Sequence, residues 1–354
     1  MKFDFVIGNP PYQEQSVGDN DTFTPPVYNK FMDAAYQVAD KVELIHPARF
    51  LFNAGSTPKP WNRKMLSDPH FKVMEYEEDA TTYFPTTEIK GGVAITYRDS
   101  SKDYGAINVF LKQKEMNSIL KKVSSDEKFE GLDKIAITRT AYRLTEEMHK
   151  DNPNARYKEN KYGQNIGQLS KGHDYDMSTN IFKRVPQIFF DEMPVDEHEY
   201  IRIIGRENGS RVTKWIRRDY VNEPKSLFKY SIILPKANGT GKFGEVLSQP
   251  ALTEPGIGST ETFLSVGFFN ALDEDKHCLK YLSTKFARAM LGILKTTQDL
   301  TPEKWKYVPM QNFTDKSDID WNKSISEIDR QLYNKYGLSH EEVDFIENNV
   351  KKMD

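Results

Sequence analysis

With 354 residues, 38% hydrophobic and 29% charged, the chain has room for two or three domains and apolar material for their cores. A single cysteine, Cys278, excludes an intrachain disulfide framework and a cysteine zinc site, and no run of about 18 apolar residues predicts a membrane span. The net charge of −3 selects no class of partner. The N-terminus lacks a basic stretch followed by a long apolar one, so no secretory signal is expected.

Residues 3–7 are an apolar run that predicts a buried strand, and they lead directly into Gly8-Asn9-Pro10-Pro11-Tyr12. Val27, Phe31, Ala34, Ala35 and Val38 recur at helical spacing. Residues 42–46, closed by Pro47, predict a second buried strand, 61–66 a short helix, and 73–77 and 92–97 two more strands. Strands and helices alternating at this pitch predict a sheet with helices on its faces. Met116, Ile119, Leu120 and Val123 predict a helix over 112–123, inside a charged connector. From 136 to 312 strands shorten and aromatics interleave with bases. Strands are predicted at 200–204, 211–216, 230–234 and 262–266, and one helix over 276–294. The last 40 residues read as helices, with Gly337 ending one and Ser339 with Glu342 forming a capping box for the next.

Two stretches carry chemistry. In the first, Gly8 allows a sharp turn off the strand, and Pro10-Pro11 fix φ and hold the Pro10 carbonyl rigid. Asn9 offers a side-chain oxygen and Tyr12 a flat aromatic face. The second stretch, 201–242, holds ten Lys or Arg against the acids Glu207, Asp219 and Glu223, a local balance of +7. Tyr200, Trp215, Tyr220, Phe228 and Tyr230 lie among these bases, a pattern that fits a surface tracking a phosphate backbone. Arg206, Arg211, Lys214, Arg217, Arg218 and Lys236 are the candidate DNA contacts. An ordinary charged face is the alternative.

The order of blocks resembles the DNA methyltransferases that modify N6 of adenine, in particular the methylase part of type IIG restriction–modification enzymes. Asn9-Pro10-Pro11-Tyr12 resembles their catalytic loop, motif IV. Residues 42–51, with Pro47, Arg49 and Phe50, resemble motif VI, and 83–95 resemble motifs VII and VIII. Thr260-Glu261-Thr262-Phe263-Leu264, Tyr281-Leu282-Ser283-Thr284-Lys285-Phe286, Lys295-Thr296-Thr297-Gln298, Tyr307-Val308-Pro309 and the tail around Tyr333 and Gly337 resemble the target-recognition domain. The resemblance implies an α/β fold: a partial Rossmann-like methyltransferase sheet over 1–105, a helical connector over 106–135, a mixed α+β recognition domain over 136–312 and C-terminal helices over 313–354. It further implies S-adenosylmethionine as cofactor, double-stranded DNA as partner and a cytoplasmic, nucleoid-associated place in a prokaryotic cell. A flipped adenine would stack on Tyr12. Asn9 and the Pro10 carbonyl would accept its amino hydrogens, and Pro11 would keep that carbonyl in place. Cytosine N4 is the other amine such a loop serves.

The family binds its cofactor through a half that precedes this loop, with a glycine-rich turn after its first strand. This chain starts at the strand before the loop. The cofactor half is therefore expected on another chain or segment, or lost, and no cofactor-binding residue is assigned. Asn238-Gly239-Thr240-Gly241-Lys242-Phe243-Gly244 and Gly256-Ile257-Gly258 are weak glycine signals among basic strands. Asp79 with Glu88-Ile89-Lys90 has the Asp…Glu-x-Lys form of metal-dependent nucleases but falls inside the block that resembles motifs VII and VIII. The histidines show no zinc spacing, and no metal ligand is assigned. The alternative to an enzyme is a truncated DNA-recognition subunit, inactive without a cofactor-binding partner.

Overall fold

The computed structural model describes residues 3–13, 25–85, 89, 91–125 and 128–353. The chain divides into two compact units, Met1–Asn117 and Ser118–Asp354, so the connector expected over 106–135 is shared between them. Glu88 and Lys90 of the nuclease-like pattern lie outside the described residues.

The first unit is a mixed four-stranded sheet with helices. Strand β1 (Phe3–Gly8) leads to α1 (Tyr28–Val38), β2 (Ala39–Pro47), α2 (Lys59–Ser67), β3 (Phe71–Glu77) and β4 (Val93–Asp99). The strand order is β1-β2-β4-β3. β1 and β2 are parallel, with Gly8 opposite Leu44, and β4 runs antiparallel to both of its neighbours. The apolar face of α1 and the inward side chains of β2 close on one core, which includes Met32, Val42, Leu44, Met65 and Phe71. Phe50 is its hub: the rings of Trp61, His46, Tyr28 and Phe71 lie 5.0, 5.4, 6.3 and 6.3 Å from it. Each large side chain buried here contributes about 1.5–3 kcal/mol.

Strand β1 departs from its expected burial. Phe3, Phe5 and Ile7 are 50, 46 and 72% exposed. The reason is topological. β2 is its only partner among the described residues, so the residues whose apolar run reads as interior line an outer edge.

Helix α3 (Lys114–Ser124) runs across the boundary between the units. In the second unit, short elements β5 (Ala136–Ile137), β6 (Arg143–Leu144), α4 (Glu146–Asp151) and α5 (Ile181–Arg184) precede a hairpin of β7 (Tyr200–Glu207) and β8 (Ser210–Arg217). Asn208 and Gly209 both have positive φ, 49° and 81°, which suits the two-residue turn that closes this hairpin. Then come β9 (Val221–Asn222), β10 (Tyr230–Pro235), β11 (Ala251–Thr253), β12 (Ile257–Ser259) and β13 (Phe263–Phe269). They form sheets of order β11-β10-β13-β5 and β12-β7-β8, with β6 and β9 paired separately.

Four helices follow: α6 (Leu272–Ser283), α7 (Lys285–Gly292), α8 (Ile325–Lys335) and α9 (His340–Asn349). The single helix expected over 276–294 is thus two. Thr284 adopts an extended ψ of 150° and its hydroxyl accepts the Ala287 N–H. Asp329 of α8 accepts the N–H groups of Lys285 and Phe286 at 3.1 and 2.9 Å. The start of α7 is capped from both sides, which offsets the hydrogen bonds lost at the break. The capping box of Ser339 and Glu342 is present, and a second one, Ser324 with Glu327, opens α8. No helix among the described residues is long and apolar enough to cross a membrane.

Asp275 in α6 is an exception to the satisfied interior. It is fully buried, and neither carboxylate oxygen has a hydrogen-bond partner among the described residues. Burial pushes its pKa from 3.8 up to about 7. Below 3.8 the folded and unfolded carboxyls are both protonated and burial of charge costs nothing. As pH rises towards 7 the unfolded chain ionises first, and the fold loses stability. Asp275→Asn should therefore raise the melting midpoint at pH 8 by about 2–4 °C, corresponding to about 1 kcal/mol, and the gain should vanish near pH 4. A gain that is the same at both pH values in thermal melts would contradict this.

Candidate active site

The 9–12 loop leaves the C-terminal end of β1, beside the end of β2. Gly8 is the last residue of the strand and is not among the glycines with positive φ. A Cβ there would meet only Leu44 Cδ2, at 3.9 Å. The turn off the strand therefore makes no demand for glycine, contrary to the sequence expectation. Asn9 and Pro11 are exposed and Pro10 and Tyr12 half-buried. The loop is tied back to the start of α1: the Val27 N–H donates to the Tyr12 carbonyl at 3.1 Å, and Gln13 bridges to Pro26.

The Tyr12 ring meets Phe84 edge-on, with centroids 6.2 Å apart and planes at 86°. Its hydroxyl is shut off from solvent, with the Asn9 side chain as its polar neighbour. Burial pushes the phenol up to about 12, against the pull of the Asn9 side chain beside it. Phe84 is itself placed by a short turn, Ala80–Thr82, whose first N–H groups are capped by Asp79. The Asp79 carboxylate accepts from the Thr81 N–H and Oγ1, at 3.0 and 2.7 Å. Behind the loop, Tyr28 stacks on His46 at 5.9 Å and 6°. His46 bonds Thr96 Oγ1 through Nε2 at 2.7 Å, and burial lowers its pKa to about 4. The Tyr28 and His46 side chains are both uncharged at neutral pH.

The basic candidates separate into two groups. Lys214 pairs with Asp191 and Glu207, Arg217 with Asp151 and Asp219, and Arg218 with Glu199 and Glu223. Arg206 and Lys236 have no ion-pair partner among the described residues. Arg211 donates to the Gln249 carbonyl at 2.8 Å. Arg206 and Arg211 face each other across the hairpin. Burial lowers the Arg211 pKa, and the neighbouring Arg206 charge adds to that. Two like charges in opposed positions destabilise a hairpin unless an anion lies against them.

Neither glycine segment fits a cofactor. The carboxylate of Glu245 accepts the N–H groups of Thr240 and Gly241, at 2.7 and 2.9 Å, and pairs with Lys295. The cradle that a phosphate or ribose would need is filled by the chain's own acid. Burial works to raise the Glu245 pKa, but these partners hold it at about 2. Gly258 lies in β12, where an added Cβ would come within 2.7 Å of Tyr142. A cavity of about 270 Å³ in the second unit is lined by residues that include Arg139, Ser170, His173, Asp176, Arg184 and Glu261. Its walls come from positions scattered over more than a hundred residues, with no local spacing to find.

Residues 1–83 match the family described as Eco57I restriction-modification methylase. A curated relative, an uncharacterized adenine-specific methylase of Mycoplasma pneumoniae (strain ATCC 29342 / M129 / Subtype 1), is 30% identical over 95 residues. The match spans 26% of this chain and only 22% of that protein. Two solved structures are similar over 98% of this chain. They are the type IIG restriction endonuclease BpuSI (TM-score 0.31, 11% identity, 54% of its chain) and the type IIL restriction-modification enzyme MmeI in complex with DNA (TM-score 0.31, 9%, 56%). Likenesses this loose carry no argument about the fold. The 9–12 loop thus lies inside the segment, residues 1–83, that matches the Eco57I restriction-modification methylase family.

Proposed function

We propose that this chain provides the acceptor side and the recognition surface of a site-specific DNA methyltransferase that modifies N6 of adenine within a restriction–modification system. The observation that carries this reading is the placement of the Asn9-Pro10-Pro11-Tyr12 loop. It sits at the C-terminal end of a parallel strand pair, where ligands bind in open α/β sheets, with Asn9 exposed and the Tyr12 ring set edge-on to Phe84. An adenine turned out of the duplex stacks on Tyr12, with Phe84 as a second wall. The Asn9 carboxamide oxygen and the Pro10 carbonyl accept its two amino hydrogens. These bonds pull the nitrogen lone pair out of conjugation with the ring and leave it able to attack a methyl group. No strong base is needed, because the amine becomes acidic only once alkylated.

The methyl donor, S-adenosylmethionine in this reading, has no fitting cradle among this chain's described residues. We assign it to a further segment that pairs with the open edge of β1. Strand β1 already runs parallel to β2, and Phe3, Phe5 and Ile7 offer an apolar surface that is an aggregation hazard when uncovered. In this reading the order β1-β2-β4-β3 is one wing of a methyltransferase sheet and the donor-binding strands are the other. The same edge supports the rival reading, a recognition subunit that catalyses nothing without its partner. Double-stranded DNA is the proposed substrate, docked by the second unit.

With the donor-binding segment supplied in trans in a methylation-deficient bacterial host, genomic sequencing should detect N6-methyladenine at one short motif. Asn9→Ala should lower methylation at least about 100-fold. Tyr12→Ala should lower it about 5- to 100-fold, through lost stacking. Tyr12→Phe should stay near the parent, because the ring that stacks is kept. Full methylation by a folded Asn9→Ala variant would overturn the proposal. On the recognition surface, Arg206→Ala and Arg211→Ala should each reduce the salt dependence of DNA binding by about one unit of slope. Arg217→Ala should instead lower the melting midpoint, since it strands Asp151 and Asp219, and should leave the slope unchanged. The reverse assignment in anisotropy titrations would sink this division.

A further inference from the structure

Arg49 is the basic side chain that the proposed chemistry leaves unused at the same sheet edge. It follows the end of β2 and is exposed. Its aliphatic stem passes between two glycines with left-handed backbone, Gly55 at φ 79° and Gly91 at φ 88°. A Cβ on Gly91 would lie 2.6 Å from Arg49 Cγ, and one on Gly55 would lie 3.2 Å from Arg49 Cβ. The stem is gripped where a flexible arginine would ordinarily wander, so less entropy is lost when its guanidinium binds. No carboxylate pairs with that guanidinium among the described residues.

The surroundings connect it to the loop. Its charge acts on the Tyr28 phenol, which burial raises to about 12 and which Thr57 and Arg49 draw down. Tyr28 begins α1 directly after Val27, the residue whose N–H holds the Tyr12 carbonyl. On the other side, the Ala48 N–H donates to the Gly92 carbonyl at 3.0 Å, which fixes the glycine pair beside Arg49. A planar, pre-oriented guanidinium that no carboxylate among the described residues neutralises, at the same sheet edge as the 9–12 loop, suits the bidentate recognition of a phosphodiester.

We propose that Arg49 binds the backbone phosphate flanking the flipped nucleotide and so holds the extruded state. The inference rests on the function proposed above. The test uses the full chain with its donor-binding segment and a duplex carrying one adenine opposite an abasic position, which lowers the cost of extrusion. The parent protein should prefer this duplex over the fully paired one. Arg49→Met keeps the stem between the glycines and removes the charge. It should weaken binding to the gapped duplex about 10- to 100-fold and lower the salt slope by about one. Arg49→Lys should restore the slope but not the full affinity. A neutral methylphosphonate at the flanking phosphate should cause the same loss in the parent and none in Arg49→Met, a comparison that does not depend on how well the variant folds. If the parent shows no preference for the gapped duplex, the base-flipping reading fails. If the parent shows it and neither Arg49→Met nor the methylphosphonate reduces it, the Arg49 proposal alone is overturned.

Discussion

The parallel pairing of β1 with β2 is the constraint on which the rest of the first unit depends. Its register, Gly8 opposite Leu44, brings the 9–12 loop and the end of β2 out at the same edge of the sheet. It places Asn9 beside the loop's aromatic wall and Arg49 beyond the next strand end. Because only one edge of β1 is used among the described residues, the same pairing that builds the acceptor side leaves Phe3, Phe5 and Ile7 in solvent. In the proposed reading, placement of the chemistry and the need for a further segment are two consequences of one geometry.

Rigidity comes from beneath the loop. Pro10 and Pro11 restrict their own dihedrals, and the Val27–Tyr12 backbone bond ties the loop to the start of α1, where Tyr28 packs among the rings of His46, Phe50 and Trp61. With its pKa lowered to about 4, His46 remains neutral through the physiological range and packs as an aromatic surface. An imidazolium there would face the buried phenol of Tyr28 from an apolar core, at a large desolvation cost. In the proposed reading, the platform therefore adds no titrating charge under the flipped base.

Much of this was legible in the sequence. Each of the eight strands and the helices expected at 27–38, 61–66 and 112–123 is present, with shifts of a few residues at the ends. Helical spacing and terminal signals are local, and local signals survive folding. The failures share one cause, which is partners distant in the chain. Residues 3–7 read as interior because apolarity says nothing about how many neighbours a strand has. The helix over 276–294 breaks because Asp329, more than forty residues onward, caps its second half. The basic stretch 201–242 reads as a cationic surface, yet Arg217 is neutralised by Asp219 and also by Asp151, 66 residues earlier, and Arg218 by Glu223 and also by Glu199 across 19. Spacing alone could not separate those residues from Arg206. The loop proposed as catalytic could be singled out because its four residues are contiguous. The glycine cradle of Arg49 was not, since Gly55 and Gly91 lie on different segments.

The central claim is that this chain supplies the acceptor side of the site while the methyl donor is held by another segment. Calorimetric titration of S-adenosylmethionine into the purified 354-residue chain, with and without duplex DNA, tests it most directly. The account predicts no binding heat for the donor in either case, alongside salt-sensitive binding of the DNA. Stoichiometric donor binding by the chain alone would contradict it and would place a cofactor site within these residues.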